Sequence, residues 1–185
     1  MSPMRNLILA VVAVAATSLA APAFAAPQGA CLWGALTDAN RATMIQGYRD
    51  KGADYLNEIA VDATMENALR TTCKLKPEEE LTAGEILGAV ILEKGADAVL
   101  FEKGKVAKGS LDKAWGRLPE ADRETLRLFA LAAMRQNIGA EAAAAFPIID
   151  RVTAELKLPD PALKDHVFAY LLGRAIREAR EAGRT

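Results

Sequence analysis

Apolar side chains recur every three to four residues along most of this chain, and no segment alternates apolar and polar residues with a period of two. The three-to-four spacing places apolar groups on one face of a helix, whereas a half-buried strand needs alternation. Residues that typically cap a helix, such as Thr37, and residues that typically end one, such as Gly52, separate these apolar stretches. We therefore expect an all-α protein built as a helical bundle.

The capping and helix-ending residues also predict where the helices begin and end. Thr82 and Glu85 have the spacing of a capping box, so we expect a helix to begin at Thr82 and to end or weaken at Gly95. Gly84 and Gly88 in that helix have a GxxxG spacing that permits close approach of another helix. The expected helices span about 37–52, 53–74, 82–95, 111–118 (capped by Ser110), 119–138, 140–158 and 161–176.

The first 25 residues match a secretory signal peptide. A short segment carrying Arg5 precedes an uncharged run over 7–21, and Ala23-Phe24-Ala25 forms an A-x-A cleavage site. That run is short for a membrane span, although an uncleaved N-terminal anchor is the alternative. We expect cleavage before Ala26, which leaves 26–185 as a single all-α domain in the periplasm or outside the cell.

The chain has two cysteines, Cys31 and Cys73, and both follow the expected cleavage site. An even number of cysteines in an oxidising compartment favours a disulfide bond. Neither CxxC nor CxxCH occurs, so thioredoxin-like and haem-attachment motifs are absent from the sequence. The alternative is a lipoprotein acylated at Cys31, because Gly29-Ala30-Cys31 resembles the end of a lipobox.

Two segments of the chain resemble each other at an offset of 82 residues. Aligning thirteen residues from Trp33 with thirteen from Trp115 gives six identities, and the same shift pairs Pro77 with Pro159. Chance similarity of alanine-rich helices is the alternative, but tryptophan is rare and both copies align. We therefore expect two tandem three-helix units. The units span about 31–104 and 111–183.

The duplication makes a further prediction about the two cysteines. The shift of 82 places Lys113 opposite Cys31 and Glu155 opposite Cys73. If the cysteines are bonded in one unit, the equivalent positions should be neighbours in the other. We therefore expect a Lys113–Glu155 ion pair in the second unit, whose stability should come from apolar packing. Its expected core consists of Leu126, Phe129, Leu131, Phe146, Ile148, Ile149, Phe168 and Leu172.

Few side chains can carry catalysis or bind a metal. His166 is the only histidine, and it could serve as a base or a ligand, or be a partly exposed surface residue. Trp33 and Trp115 could form an aromatic ligand site or interface between the units, or could plug the helix entries. We expect no catalytic residue, no metal site and no cofactor, because no tetrahedral ligand set, P-loop or dinucleotide fingerprint occurs.

A short family resemblance accompanies the first helix start. Leu36-Thr37-Asp38-Ala39-Asn40 resembles the LTxxQ element of the Spy/CpxP-type periplasmic helical chaperones, with Asn40 in place of Gln. The resemblance implies a helical protein that binds client chains in the periplasm.

The formal charge of −1 shows no basic footprint for nucleic acid. We expect a non-catalytic, exported helical protein of the bacterial envelope that binds a partner protein or a small apolar ligand. The alternatives are a periplasmic chaperone-like protein and a hydrolase that uses dispersed carboxylates. An exposed apolar groove would favour a binding protein, and a cleft with two or more acidic residues of perturbed pKa would favour a hydrolase.

Overall fold

The computed structural model describes residues 28–137 and 139–184. Within these ranges the chain forms eight α-helices and no strand, so the all-α expectation is confirmed. The expected leader, residues 1–25, and the cleavage site before Ala26 lie outside the described residues. The helices are α1 (Gly29–Ala35), α2 (Asp38–Lys51), α3 (Ala63–Cys73), α4 (Glu80–Glu102), α5 (Ser110–Arg117), α6 (Glu120–Met134), α7 (Gly139–Leu156) and α8 (Lys164–Glu181).

The start and end of α2 follow the sequence pattern. The hydroxyl of Thr37 accepts a hydrogen bond from the backbone N–H of Asn40 at 3.1 Å, as an N-cap does. Gly52 ends the helix with φ +62°, a conformation that glycine adopts without strain. Helix α1 was not expected. With it, each half of the described chain contains four α-helices, and not the three per unit that the duplication predicts.

The helix expected over 53–74 is wrong in its first half. Gly52–Glu58 forms a 3₁₀ helix instead, and α3 begins only after Asp62, whose carboxylate accepts from the backbone N–H of Met65 at 2.7 Å. Aspartate is a strong N-cap residue, so it restarts the helix there. A continuous helix over 53–74 would place Leu56, Ile59, Ala60, Ala63 and Leu69 on one buried face. In the structure Leu69 is buried, Leu56 and Ile59 are half-buried, and Ala60 and Ala63 are exposed.

Helix α4 is longer than the sequence indicated at both ends. It begins at Glu80, directly after a 3₁₀ helix over Pro77–Glu79, so the expected start at Thr82 is wrong. It also continues through Gly95 to Glu102. A Cβ atom at Gly95 would lie 2.3 Å from Cγ of Tyr48, so this glycine allows α2 and α4 to approach closely rather than ending the helix.

Several second-half expectations are also corrected. Gly109, with φ +74°, precedes α5, so Ser110 is its first residue and not its cap. Helix α6 ends at Met134, four residues early. The expected Lys113–Glu155 ion pair is wrong, because Nη2 of Arg117 lies 3.2 Å from Oε2 of Glu155. Arg117, one helical turn after Lys113, is therefore the cation that pairs with Glu155.

The long helices α4 and α8 pack against each other at the centre of the molecule. Helix α2 packs on α4 and α6 packs on α8, while α1 and α7 lie at the sides. Two apolar clusters result, one around α8 and a smaller one between α1, α3 and α4. Of the expected second-unit core, Leu126, Phe129, Leu131, Ile148 and Ile149 are buried, Phe168 and Leu172 are half-buried, and Phe146 is exposed.

Candidate functional site

An apolar groove runs along one face of α4 in the first half of the molecule. Its main part has a volume of about 530 Å³, and an adjoining hollow of about 220 Å³ continues it towards α3. The two parts share Val61, Glu80, Gly84 and Leu87 as lining residues. Small-molecule sites in proteins usually occupy about 300–1,000 Å³ and are mostly apolar. The groove therefore has the size and character of such a site.

Two glycines of α4 form the floor of this groove. A Cβ atom on Gly84 would meet no atom within 4 Å, and one on Gly88 would meet only Cδ2 of Leu56, at 4.0 Å. The GxxxG spacing indicated close helix packing, but no helix of the described chain covers Gly84. Because glycine has no side chain, these two positions leave open space along the helix.

The irregular segment after α2 supplies the opposite wall. Leu56, Ile59 and Val61 line the groove from this segment, which is set between the turn at Gly52 and the cap at Asp62. Had these residues continued a helix, as the sequence suggested, they would have formed a stripe instead of a wall. The wall and rim leave large apolar side chains in solvent: Val61 is 47% exposed and Leu81 is 77% exposed.

A disulfide bond between Cys31 and Cys73 holds one end of the groove. The bond joins α1 to the last residue of α3, with the two Cα atoms 5.8 Å apart, and confirms the expected pairing. Leu69 and Leu75, on either side of Cys73, line the smaller hollow. The bond therefore fixes the position of the groove wall that α3 provides.

The charged side chains at the groove rim are paired. Arg70 donates to Glu66 at 2.8 Å and to Glu80 at 2.6 Å. Arg180 donates to Glu85 at 3.1 Å on the other side. The lining between these pairs is apolar, so a bound molecule would meet mainly hydrocarbon.

A second cavity, of about 410 Å³, lies between α1, α4, α5 and α8 and is strongly charged. Two of its three carboxylates are bound by arginines or tyrosine. Glu93 accepts from Arg177 at 2.5 and 3.1 Å, and Asp112 accepts from Tyr170 at 2.7 Å and from Arg174 at 3.0 Å. These contacts join α4 and α5 to α8. The third carboxylate, Asp97, has no hydrogen bond or ion pair among the described residues.

Asp97 and Arg177 are among the groups of this cavity whose pKa values are shifted. Burial raises the pKa of Asp97, the charge of Asp112 raises it further, and Lys94 opposes both. The pKa of Arg177 is lowered by burial, but hydrogen bonding and charge from Glu93 outweigh this effect and raise it overall. A hydrolase that works with two carboxylates needs both to reach the substrate, with their pKa values separated. Among these carboxylates only Asp97 is free of a partner.

Another hollow, of about 780 Å³, lies along the outer surface of α2. Charged and polar side chains, including Arg41, Gln46, Arg49 and Asp50, make up much of its lining. It is larger than the apolar groove, but its lining is more polar. We therefore give the groove on α4 more weight as a binding site.

The structure places the two tryptophans in different surroundings. Trp33 lines the charged cavity. Trp115 is 2% exposed, and its indole Nε1 donates to Glu178 at 2.8 Å. No aromatic contact joins the two rings within the described chain. Arg174, which also lines the charged cavity, donates to Glu178 as well, at 2.9 Å.

His166 lies on α8 beside α2. Its Nδ1 is 3.1 Å from the hydroxyl of Tyr48, a residue that is 1% exposed. Burial lowers the pKa of His166, Lys103 lowers it further, and Asp165 opposes them. Sequence reasoning missed the partnership because Tyr48 is 118 residues away.

The described residues form neither a metal-binding cluster nor a membrane-spanning helix. No group of three or more His, Cys, Asp or Glu side chains there is placed to hold a metal ion. None of the described helices is long and apolar enough to cross a membrane.

Comparison of the chain with protein families, curated proteins and solved structures finds no significant match.

Proposed function

We propose that this chain is an exported, non-catalytic binding protein of the bacterial envelope that holds an elongated, apolar small molecule in the groove on α4. The observation that carries the proposal is the open face above Gly84 and Gly88, walled by Leu56, Ile59 and Val61. A helix face this apolar is normally covered in a folded domain.

The size of the groove favours a small molecule over a protein partner. A standard protein interface buries about 800 Å² on each partner. The groove is a narrow trough set between α4 and one short segment, with a main volume of about 530 Å³. Such a trough can enclose a small ligand but offers a second protein little flat area.

Its shape favours an elongated ligand. The lining residues on α4 run from Glu80 to Leu92. At 1.5 Å per residue, this stretch is about 18 Å long. An extended alkyl chain, as in a fatty acid, would lie along the glycine floor with its hydrocarbon against Leu87 and Ile59.

Export is supported by the leader pattern over 1–25 and by the disulfide bond. Disulfides persist in oxidising compartments such as the periplasm and are rare in the cytosol. Intact mass of the purified protein tests this part of the proposal. We expect the mass of residues 26–185 less two hydrogens; retention of the leader, an acylated Cys31 or two free thiols would contradict it.

Binding can be tested with cis-parinaric acid, a fatty acid that fluoresces in apolar surroundings. We expect saturable binding of one probe to the oxidised wild-type protein. Gly84→Leu places a side chain in the groove and should weaken binding at least tenfold. Gly116→Leu is the matched control, because Gly116 is an exposed helical glycine with no atom within 4 Å of its Cβ position.

Two outcomes would overturn the binding proposal. One is the absence of saturable binding to the wild-type protein. The other is equal binding by the Gly84→Leu and Gly116→Leu variants with both folds intact, since the probe would then lie elsewhere. In that case the charged cavity would be the next site to examine.

A further inference from the structure

The two halves of the described chain contain the same succession of elements. Each begins with a short α-helix, continues with two further α-helices and a 3₁₀ helix that starts with proline, and ends with a long α-helix; the 3₁₀ helix Gly52–Glu58 of the first half has no counterpart in the second. The 3₁₀ helices begin at Pro77 and Pro161, and the long helices begin at Glu80 and Lys164. Both spacings are 84 residues, so this part of the repeat aligns Pro77 with Pro161 rather than with Pro159.

Equivalent residues of the two long helices meet at the centre of the molecule. A Cβ atom on Gly173 would lie 2.6 Å from the carbonyl oxygen of Ala89, which occupies the same position 84 residues earlier. Glu93 and Arg177 are also equivalent at this spacing, and they are hydrogen-bonded. Contacts between equivalent positions are the signature of an isologous, two-fold arrangement.

At the same spacing, the groove glycines align with large side chains. Phe168 is the equivalent of Gly84, and Leu172 is the equivalent of Gly88. The Phe168 ring lies 6.1 Å from that of Phe129 and 6.3 Å from that of Phe146, between α6 and α7. Leu172 packs against the larger apolar cluster. In the second half, side chains therefore fill the helix face that is open in the first.

We infer that the two halves are copies of one unit, that the second half holds a closed form of the groove, and that Gly84 and Gly88 are the residues that open it in the first half. This inference rests on the proposed function and adds its specificity determinants. It also sets the stoichiometry: the chain binds one apolar ligand, because Phe168 and Leu172 occupy the second position.

Truncation of the two side chains that fill the second groove tests the inference. Phe168→Ala with Leu172→Ala should open the second groove and raise the number of bound cis-parinaric acid molecules from one to two. Leu128→Ala, which shortens an exposed leucine on α6, is the matched control and should leave one site. An unchanged single site in a folded Phe168→Ala, Leu172→Ala variant would overturn the inference.

Thermal unfolding tests the equivalence of the two helix faces without a ligand. Gly84→Phe with Gly88→Leu should melt at a higher temperature than Gly84→Ala with Gly88→Ala, because the larger pair fills the groove as Phe168 and Leu172 fill theirs. The alanine variant controls for the gain in helix propensity. A lower melting temperature for the larger pair would overturn the inference. If the wild-type protein binds no probe, the proposed function fails and this comparison alone decides the equivalence.

Discussion

The carboxylate of Glu93 on α4 accepts two hydrogen bonds from the guanidinium of Arg177 on α8, from Nε at 2.5 Å and from Nη2 at 3.1 Å. Glu93 is 6% exposed, and it is the one charged residue among the buried residues of the described chain. The pair lies where the two central helices meet. It therefore joins the two halves of the molecule through a largely dehydrated ion pair.

Breaking this pair on one side should be costly. Arg177→Met leaves the Glu93 carboxylate buried without its main partner, and loss of one partner of a buried ion pair typically costs about 3–5 kcal/mol. Replacing both residues, with Glu93→Leu and Arg177→Met, should cost far less because no charge remains buried there. Urea unfolding of the four proteins of the double-mutant cycle measures the difference. Equal losses for the single and double variants would contradict this account.

The fold class and the disulfide could be predicted because each depends on local pattern or on simple counting. Helical periodicity excludes strands, and two cysteines allow one intramolecular pairing. The ends of helices were less accessible. Asp62 caps α3, but the apolar residues before it also fit a helix, and only packing against α4 makes Leu56 and Ile59 a separate wall.

The candidate site could not be predicted for a different reason. Gly84 and Gly88 were visible as a pair, but their spacing is equally compatible with a covered helix and an open one. Which applies depends on residues 56–61 and on Met134, the last residue of α6, which line the groove from other parts of the sequence. The Glu93–Arg177 pair was missed likewise, since 84 residues separate its members.

Gly95 should not tolerate a methyl group. The Cβ atom of Gly95→Ala would lie 2.3 to 2.7 Å from ring and Cβ atoms of Tyr48, which is 1% exposed and has no room to move away. Overpacking of this kind costs about 1–3 kcal/mol. Gly116→Ala, where the Cβ position is open, should instead gain about 0.5–1 kcal/mol from helix propensity. Chemical unfolding measures both, and equal stabilities would refute the close approach of α2 and α4.

His166 should make stability depend on pH. Burial lowers its pKa in the folded protein, with Lys103 acting in the same direction and Asp165 opposing. The unfolded chain, with a histidine pKa of about 6.5, therefore binds the proton more readily. Stability from this residue is fully present above about pH 6.5 and is lost as the pH falls from there through the lower pKa of the folded state.

The measurement is the free energy of unfolding of the wild type and His166→Gln between pH 5 and 8. Glutamine keeps a polar group near the hydroxyl of Tyr48 but does not titrate. We expect the wild type to lose more stability than the variant as the pH falls below 6.5. Parallel curves for the two proteins would show that the histidine is solvated in the folded state.

Removal of the disulfide should weaken both the fold and the groove. Cys31 and Cys73 are 42 residues apart, and the chain-entropy relation assigns closure of such a loop about 4 kcal/mol. The Cys31→Ala, Cys73→Ala variant should lose a large part of that stability in urea unfolding. Because α3 is tied to α1 by this bond and supplies Leu69 to the groove, cis-parinaric acid should also bind more weakly where the variant is still folded.

Dithiothreitol serves as the control. It should lower the stability and the probe affinity of the wild-type protein in the same way and leave those of the variant unchanged. Full stability with weaker binding would place the role of the bond in the groove wall alone, whereas unchanged stability and binding would contradict both parts of the prediction.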